Sequence, residues 1–336
     1  MSGQVIEEPA LTVVLAALAD AAVLETTLLH LRAQTVRERI ELVVVTPSRE
    51  RLGSLPTAMD ALHGCRVIEA PAATSVAQAN AAGVRVASAP VVAFVEDHSF
   101  PDRGWAEALV RAHEDDWVAV GPVVVNANPG TILSWADFLI GFGRWMEPTP
   151  AGPQPFLPGH NCSYKRSALL AFGDELESVL EVETVLHLHL AAAGGGLYLE
   201  PAARVAHTNF SRWRPSLHVR FHSGRAFAAT LRDGWHRPRR VVFALASPLI
   251  PLVRFARCVA QMTRPGRAAR IRWSVLPALA FSLLVDGAGQ VAGHVAGPGD
   301  SEKRLAAYEF RRIDEITSSD RRAIAALTAT LRSSEG

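Results

Sequence analysis

Up to Val125 the chain alternates between apolar runs of strand length and amphipathic runs of helical length, and this alternation leaves few folds open. Leu11–Leu18, Ile40–Thr46, Val91–Val95 and Trp117–Val125 read as strands, with Arg66–Ala70 as a further short one. Between them, Val23–Gln34 carries leucines at 24, 28 and 31, a helical stripe. Ser75–Ala87 and Asp102–His113 also read as helices. Repeated strand–helix units predict a mostly parallel sheet with helices on both faces. Strands buried on both faces appear as continuous apolar runs. Ligands in open sheets of this kind gather beyond the carboxyl ends of the strands.

The Val91–Val95 run ends in Glu96-Asp97-His98, which sets carboxylates and one imidazole at that rim. Such donors suit Mn²⁺ or Mg²⁺, ions that bridge protein carboxylates to substrate phosphates. The same run also suits an acidic turn ahead of the helix near Asp102.

Other classes fall away. A net charge of +1 argues against a nucleic-acid-binding protein. Cys65, Cys162 and Cys258 are odd in number and far apart, so neither a disulfide framework nor a zinc site is expected, and a reducing compartment is. Glu7 and Glu8 precede Leu11–Ala19 where a signal peptide would carry positive charge, so that run is expected to be a core strand. A dinucleotide-binding fold would need glycines after the first strand, and Ala19-Asp20-Ala21-Ala22 supplies none.

From Thr131 the pattern changes. An apolar helix, Ile132–Trp145, leads into a proline-rich loop and then Gly159-His160-Asn161-Cys162-Ser163-Tyr164. A helix from Arg166, another over Val182–Ala193 stopped by Gly194, and strands at Leu197–Glu200 and Arg204–His207 follow. The expected organisation is a catalytic domain over 1–235 and a helical, membrane-associated region over 236–336.

In that tail, Val241–Met262 and Val275–Gly297 have the roughly 20 residues needed to cross a bilayer. Each is interrupted, the first by Pro248, Pro251, Arg254 and Arg257, the second by Asp286 and His294. A spanning first stretch would put Arg237–Arg240 and Arg264–Arg272 on opposite sides of the membrane, against the positive-inside pattern. Helices lying in the membrane interface are therefore expected, with Arg254, Arg257 and Gln261 as one polar stripe on the headgroups. Buried core helices are the alternative. Gly289, Gly293 and Gly297, four apart, suit close helix packing.

The order of these pieces resembles family-2 glycosyltransferases with the GT-A fold, of the bacterial membrane-associated type. The pieces are Leu11–Leu15, Glu41–Val45, Asn80-Ala81-Ala82-Gly83, Val91–His98, Pro158–Arg166 and Glu181-Val182-Glu183-Thr184. The resemblance implies an inverting transferase that moves a sugar from a nucleotide-diphosphate sugar to an acceptor hydroxyl. It implies Asp97, His98 and His207 as metal ligands for Mn²⁺ or Mg²⁺. Glu96, Asn80, Gly159, His160, Asn161, Arg212 and Trp213 would hold the donor. Glu183 would be the general base, with Glu181 in reserve. His98 stands where an aspartate is usual, and Val182 where the first acid of a pair is usual; a binding protein that kept the fold and lost activity is the alternative these departures leave. The implied setting is the cytoplasmic side of the cell membrane, with the membrane surface as partner and a lipid-linked or membrane-bound acceptor.

Overall fold

A computed structural model describes residues 8–17, 21–52, 61–71, 75–232, 235–309 and 311–332. The chain forms two compact units, one of 1–125, 149–207 and 327–336, the other of 126–148 and 208–326.

The first unit is built on a nine-stranded sheet in the order β3-β2-β1-β4-β8-β6-β9-β5, with β7 paired to β9. β1 (Leu11–Ala16), β2 (Ile40–Thr46), β3 (Gly64–Glu69) and β4 (Val91–Val95) run parallel. β5 (Ser99–Pro101), β6 (Trp117–Asn126), β7 (Gly152–Pro153), β8 (Ser163–Lys165) and β9 (Gly196–His207) extend it, β8 antiparallel to both β4 and β6. Every residue of β2 and β4 is buried, which is why both read as apolar runs, broken only by Glu41 and Thr46 of β2; the Glu41 carboxylate accepts from Thr12 and Ser88.

α1 (Ala21–Arg32) connects β1 to β2, α2 (Val76–Val86) connects β3 to β4, and α3 (Trp105–Ala112) leads from β5 to β6. Leu24, Leu28 and Leu31 of α1 pack with Trp105 and Leu109 of α3 and with Leu11, Val13 and Leu15 of β1. The Ser75 hydroxyl accepts the Gln78 N–H and starts α2. α4 (Ile132–Phe142) belongs to the second unit, and α5 (Arg166–Leu170), α6 (Leu176–Leu180) and α7 (Glu183–Ala192) complete the first.

The second unit holds α4, α8 (Trp213–Arg232), α9 (Arg237–Ala246), α10 (Ile250–Met262), α11 (Leu276–Ala296), α12 (Ser301–Glu309) and most of α13 (Ser318–Arg332). α8 and α11 meet backbone to backbone. A Cβ on Gly289 would stand 2.0 Å from the Phe221 carbonyl oxygen, and one on Gly224 would stand 2.1 Å from that of Asp286.

Trp273–Ala296 is long and apolar enough to cross a membrane by length and composition, and half of it is buried inside the protein. Its buried side includes Ser282, Asp286, Gln290 and His294, four apart. Asp286 accepts from Arg254 at 2.6 Å and from Gln290 at 2.7 Å. The polar residues that interrupt this apolar stretch thus face inward.

The expected polar stripe of α10 divides in the structure. Arg254 turns in to Asp286, Gln261 accepts from Arg267 at 3.1 Å, and Arg257 alone is exposed. Arg267 is fully buried and donates to the carbonyl oxygens of Gly143 (2.9 Å) and Pro148 (3.0 Å) and to that of Met146. It fastens the turn after α4 rather than reaching outward, because those carbonyls would otherwise be buried unpaired.

Candidate active site

The carboxyl end of β4 opens into a turn closed by the Ser99 N–H on the Glu96 carbonyl at 3.1 Å. β5 then pairs with β9, which brings Ser99 opposite His207. Residues more than a hundred apart in sequence therefore share one rim. His207 Nε2 lies 3.4 Å from Glu96 Oε2, and His98 Nε2 lies 3.6 Å from Glu96 Oε1. The two imidazoles meet edge to face at 5.0 Å.

One ligand atom each from Glu96, His98 and His207 falls within 4.8 Å of the others. One carboxylate and two imidazoles fit a divalent first-row transition ion, since imidazole suits such ions and carboxylate suits Mn²⁺ and Mg²⁺. Asp97 is placed behind this group: its Oδ1 lies 2.7 Å from His98 Nδ1, and its carbonyl accepts the Thr27 hydroxyl at 2.8 Å. An acid on the far nitrogen fixes the orientation and tautomer of a ligating histidine.

Asn161 locks Glu96 in place. Its amide donates to Glu96 Oε2 at 3.0 Å and to the Ser99 hydroxyl at 3.1 Å, and that hydroxyl donates to Glu96 Oε2 at 3.1 Å. Asn161 sits at φ +66°, a left-handed conformation that asparagine tolerates better than most residues. Burial works against charge on Glu96, yet His160, His98 and His207 outweigh it and hold the carboxyl well below its ordinary range.

Glu183 opens α7, where the helix dipole favours an anion. Its Oε1 lies 2.8 Å from His160 Nε2, and His160 Nδ1 lies 3.5 Å from Glu96 Oε1. Burial raises the Glu183 pKa and His160 more than offsets it, so the group stays below the ordinary value. Gly159, at φ +75°, makes this approach possible. A Cβ there would stand 2.8 Å from Glu183 Cγ and 3.0 Å from its Cδ.

Among the remaining expected positions of the first unit, neither Glu181 nor Asn80 joins this group. Glu181 is exposed at the end of α6 and accepts the Ser75 hydroxyl at 2.5 Å, so it is held at the start of α2. Asn80 is buried within α2 and has no hydrogen bond to the cluster among the described residues. Arg212 and Trp213 belong to the second unit and are exposed, with Trp213 edge-on to Phe281 at 6.1 Å. Sequence reasoning missed Ser99 and Thr27. Ser99 directly follows the acidic run and could have been suspected; nothing local marks Thr27.

Residues 12–172 match glycosyl transferase family 2. The chain carries a family-2 glycosyltransferase domain. The match takes in Glu96, His98, His160 and Asn161, while Glu183 and His207 lie beyond it. Among solved structures, the mannosyltransferase PcManGT from Pyrobaculum calidifontis, in complex with GDP-Man and Mn²⁺, is 18% identical. That likeness covers 87% of this chain and 88% of that one, with a TM-score of 0.54. GalNAc-T7 with UDP, GalNAc and Mn²⁺ is 17% identical over 64% of this chain and 47% of that one, with a TM-score of 0.49. No curated protein matches the sequence. The fold is that of GT-A glycosyltransferases.

Proposed function

We propose that this glycosyltransferase moves a hexose from a nucleoside-diphosphate sugar to an acceptor hydroxyl with inversion, and that it works at the cytoplasmic face of the membrane on a lipid-linked or membrane-bound acceptor. The observation that carries the chemistry is the placement of Glu183. A single histidine, His160, links it to the carboxylate of the Glu96–His98–His207 group. The enzyme's two tasks, holding a diphosphate and taking a proton, thus fall on adjacent walls of one rim.

Glu96, His98 and His207 would hold Mn²⁺ or a similar divalent ion. When bound, such an ion neutralises the charge that develops on a departing diphosphate. Asp97 and Asn161 keep that group oriented. Glu183 remains ionised at neutral pH, as a base must. It takes the proton of the acceptor hydroxyl as the acceptor oxygen bonds to the anomeric carbon. The bond from that carbon to the diphosphate oxygen breaks, and its electron pair leaves with the diphosphate. Attack from the side opposite the leaving group inverts the anomeric centre.

Glu183→Gln keeps the hydrogen bond to His160 and cannot take the proton. Turnover should fall by at least about 10²-fold, while Mn²⁺-dependent stabilisation by UDP or GDP sugars persists. Unchanged turnover in Glu183→Gln, with loss in Glu181→Gln, would move the base to Glu181.

A further inference from the structure

The second unit carries a surface that is both apolar and basic. Between Gly234 and Val285 the sequence has nine arginines and no acidic residue. Through α9, the turn Ser247–Leu249 and α10 the backbone stays in the right-handed helical region, with Ser247, Leu249 and Ile250 all inside it. One line of side chains therefore runs Val241, Leu245, Leu249, Leu252, Ala256, at steps of three and four. It faces outward: Leu245 is 76% exposed, Leu249 62% and Leu252 66%. The opposite side is filled, with Pro251, Cys258 and Met262 buried and Arg254 on Asp286. A surface helix of a soluble protein turns its polar side outward; α10 instead turns Arg254 inward and leucines outward, and α9 exposes Val241, Val242 and Leu245.

Where this stripe ends, Arg257 and Arg264 are exposed, and Arg144 after α4 stands within their electrostatic reach. Loss of solvent, then the charges of Arg264 and Arg257, lowers the pKa of Arg144. None of the three has an acidic partner among the described residues. Like charges gathered without a counter-ion are unfavourable until an anion joins them.

The occupant must satisfy both halves. A nucleic acid offers phosphates and nothing for Leu245 or Leu252. A second copy covers leucines and sets arginine clusters against each other. An anionic bilayer leaflet offers acyl chains to the stripe and phosphates to the arginines. We propose that the Val241–Ala256 stripe inserts into an anionic leaflet, with Arg144, Arg257 and Arg264 gathered on lipid phosphates. This inference rests on the membrane-face location proposed above and names the surface that mediates it.

The test is co-sedimentation of the full chain with vesicles of phosphatidylcholine alone or mixed with phosphatidylglycerol. The wild-type chain should bind the mixed vesicles. Each buried leucine contributes a factor of roughly ten or more, so Leu245→Glu with Leu252→Glu should weaken binding at least about 100-fold. Each arginine near the surface contributes a factor of about five, so Arg257→Gln with Arg264→Gln should weaken it roughly 30-fold, and only on the anionic vesicles. Both pairs are exposed, and retained Mn²⁺-dependent stabilisation by UDP or GDP confirms that the variants are folded. Wild-type binding by both variants overturns this surface and leaves the membrane location standing. No binding by the wild type overturns both. A doubled mass in solution by light scattering, lost in the leucine variant, assigns the stripe to a second copy and overturns the inference. None of these outcomes touches the transfer reading, which Glu183→Gln tests separately.

Discussion

Gly159→Ala separates the role of Glu183 from the stability of the fold. The added methyl would stand 2.8, 2.9 and 3.0 Å from Glu183 Cγ, Cβ and Cδ, while carbon pairs rest at about 3.5–4.0 Å. Glu183 must therefore retreat by roughly 0.5–1 Å, given that spacing. Alanine at φ +75° adds a backbone cost of about 1–2 kcal/mol. The Glu183 side chain is already 30% exposed, so it has room to shift and the protein should fold. The carboxylate, however, leaves its 2.8 Å contact with His160. A misplacement of about 1 Å can reduce turnover on the order of 10²-fold.

A matched control exists in Gly173→Ala. Gly173 also has positive φ, at +55°, but a Cβ there meets nothing within 4 Å. Gly173→Ala should lose about 1–2 kcal/mol in urea unfolding, and Gly159→Ala at least as much. Both should keep Mn²⁺-dependent stabilisation by UDP or GDP. Only Gly159→Ala should lose turnover in a sugar-transfer assay. Full turnover in Gly159→Ala would refute the assignment of Glu183, because a base moved that far cannot work unimpaired.

Arg267→Met leaves the Gly143, Met146 and Pro148 carbonyls buried without their donor, at a cost of roughly 3 kcal/mol or more. Urea unfolding reads this, and a loss under about 1 kcal/mol would mean that other groups take over those bonds. Stability should also fall with acidification in a defined window. Burial lowers His113 and His187 to about 4, against 6.5 ordinarily. Below 6.5 the unfolded chain takes up protons that the folded chain refuses, so stability declines from pH 6.5 toward 4, by up to roughly 1.4 kcal/mol per pH unit for each histidine. The depressed carboxyls of Glu96 and Glu183 lose stability only as pH falls below 4.5, so the interval above that belongs to the histidines. His187→Gln should flatten the slope, and a wild-type urea midpoint that is level across that interval would contradict it.

β1, β2 and β4 were legible because burial on both faces leaves mostly apolar residues. β2 and β4 have the bounds that their apolar runs suggest. β5 and β8 were not legible, since three residues carry no periodicity. β9 read as two strands because Glu200-Pro201-Ala202 interrupts its apolar pattern, yet it continues through them. The acidic run marked the rim, but not which side chains converge there. A turn at Glu96–Ser99 and the pairing of β5 with β9 decide that Glu96 meets His207 while Asp97 backs His98. In α10, arginines at three and four define a stripe without revealing which stripe is inward. Asp286, thirty-two residues beyond Arg254, settles it.

Glu96, His98 and His207 are proposed to hold the metal ion that serves sugar transfer. Electron paramagnetic resonance of Mn²⁺, with UDP or GDP present, measures it most directly. Wild-type protein should bind one ion, Glu96→Gln and His207→Gln should lose it, and Asp97→Asn should only weaken it, by the 10–100-fold typical of a group that orients a ligand. Undiminished Mn²⁺ binding in Glu96→Gln and His207→Gln, with loss in Asp97→Asn, would contradict the account and return the metal to Asp97.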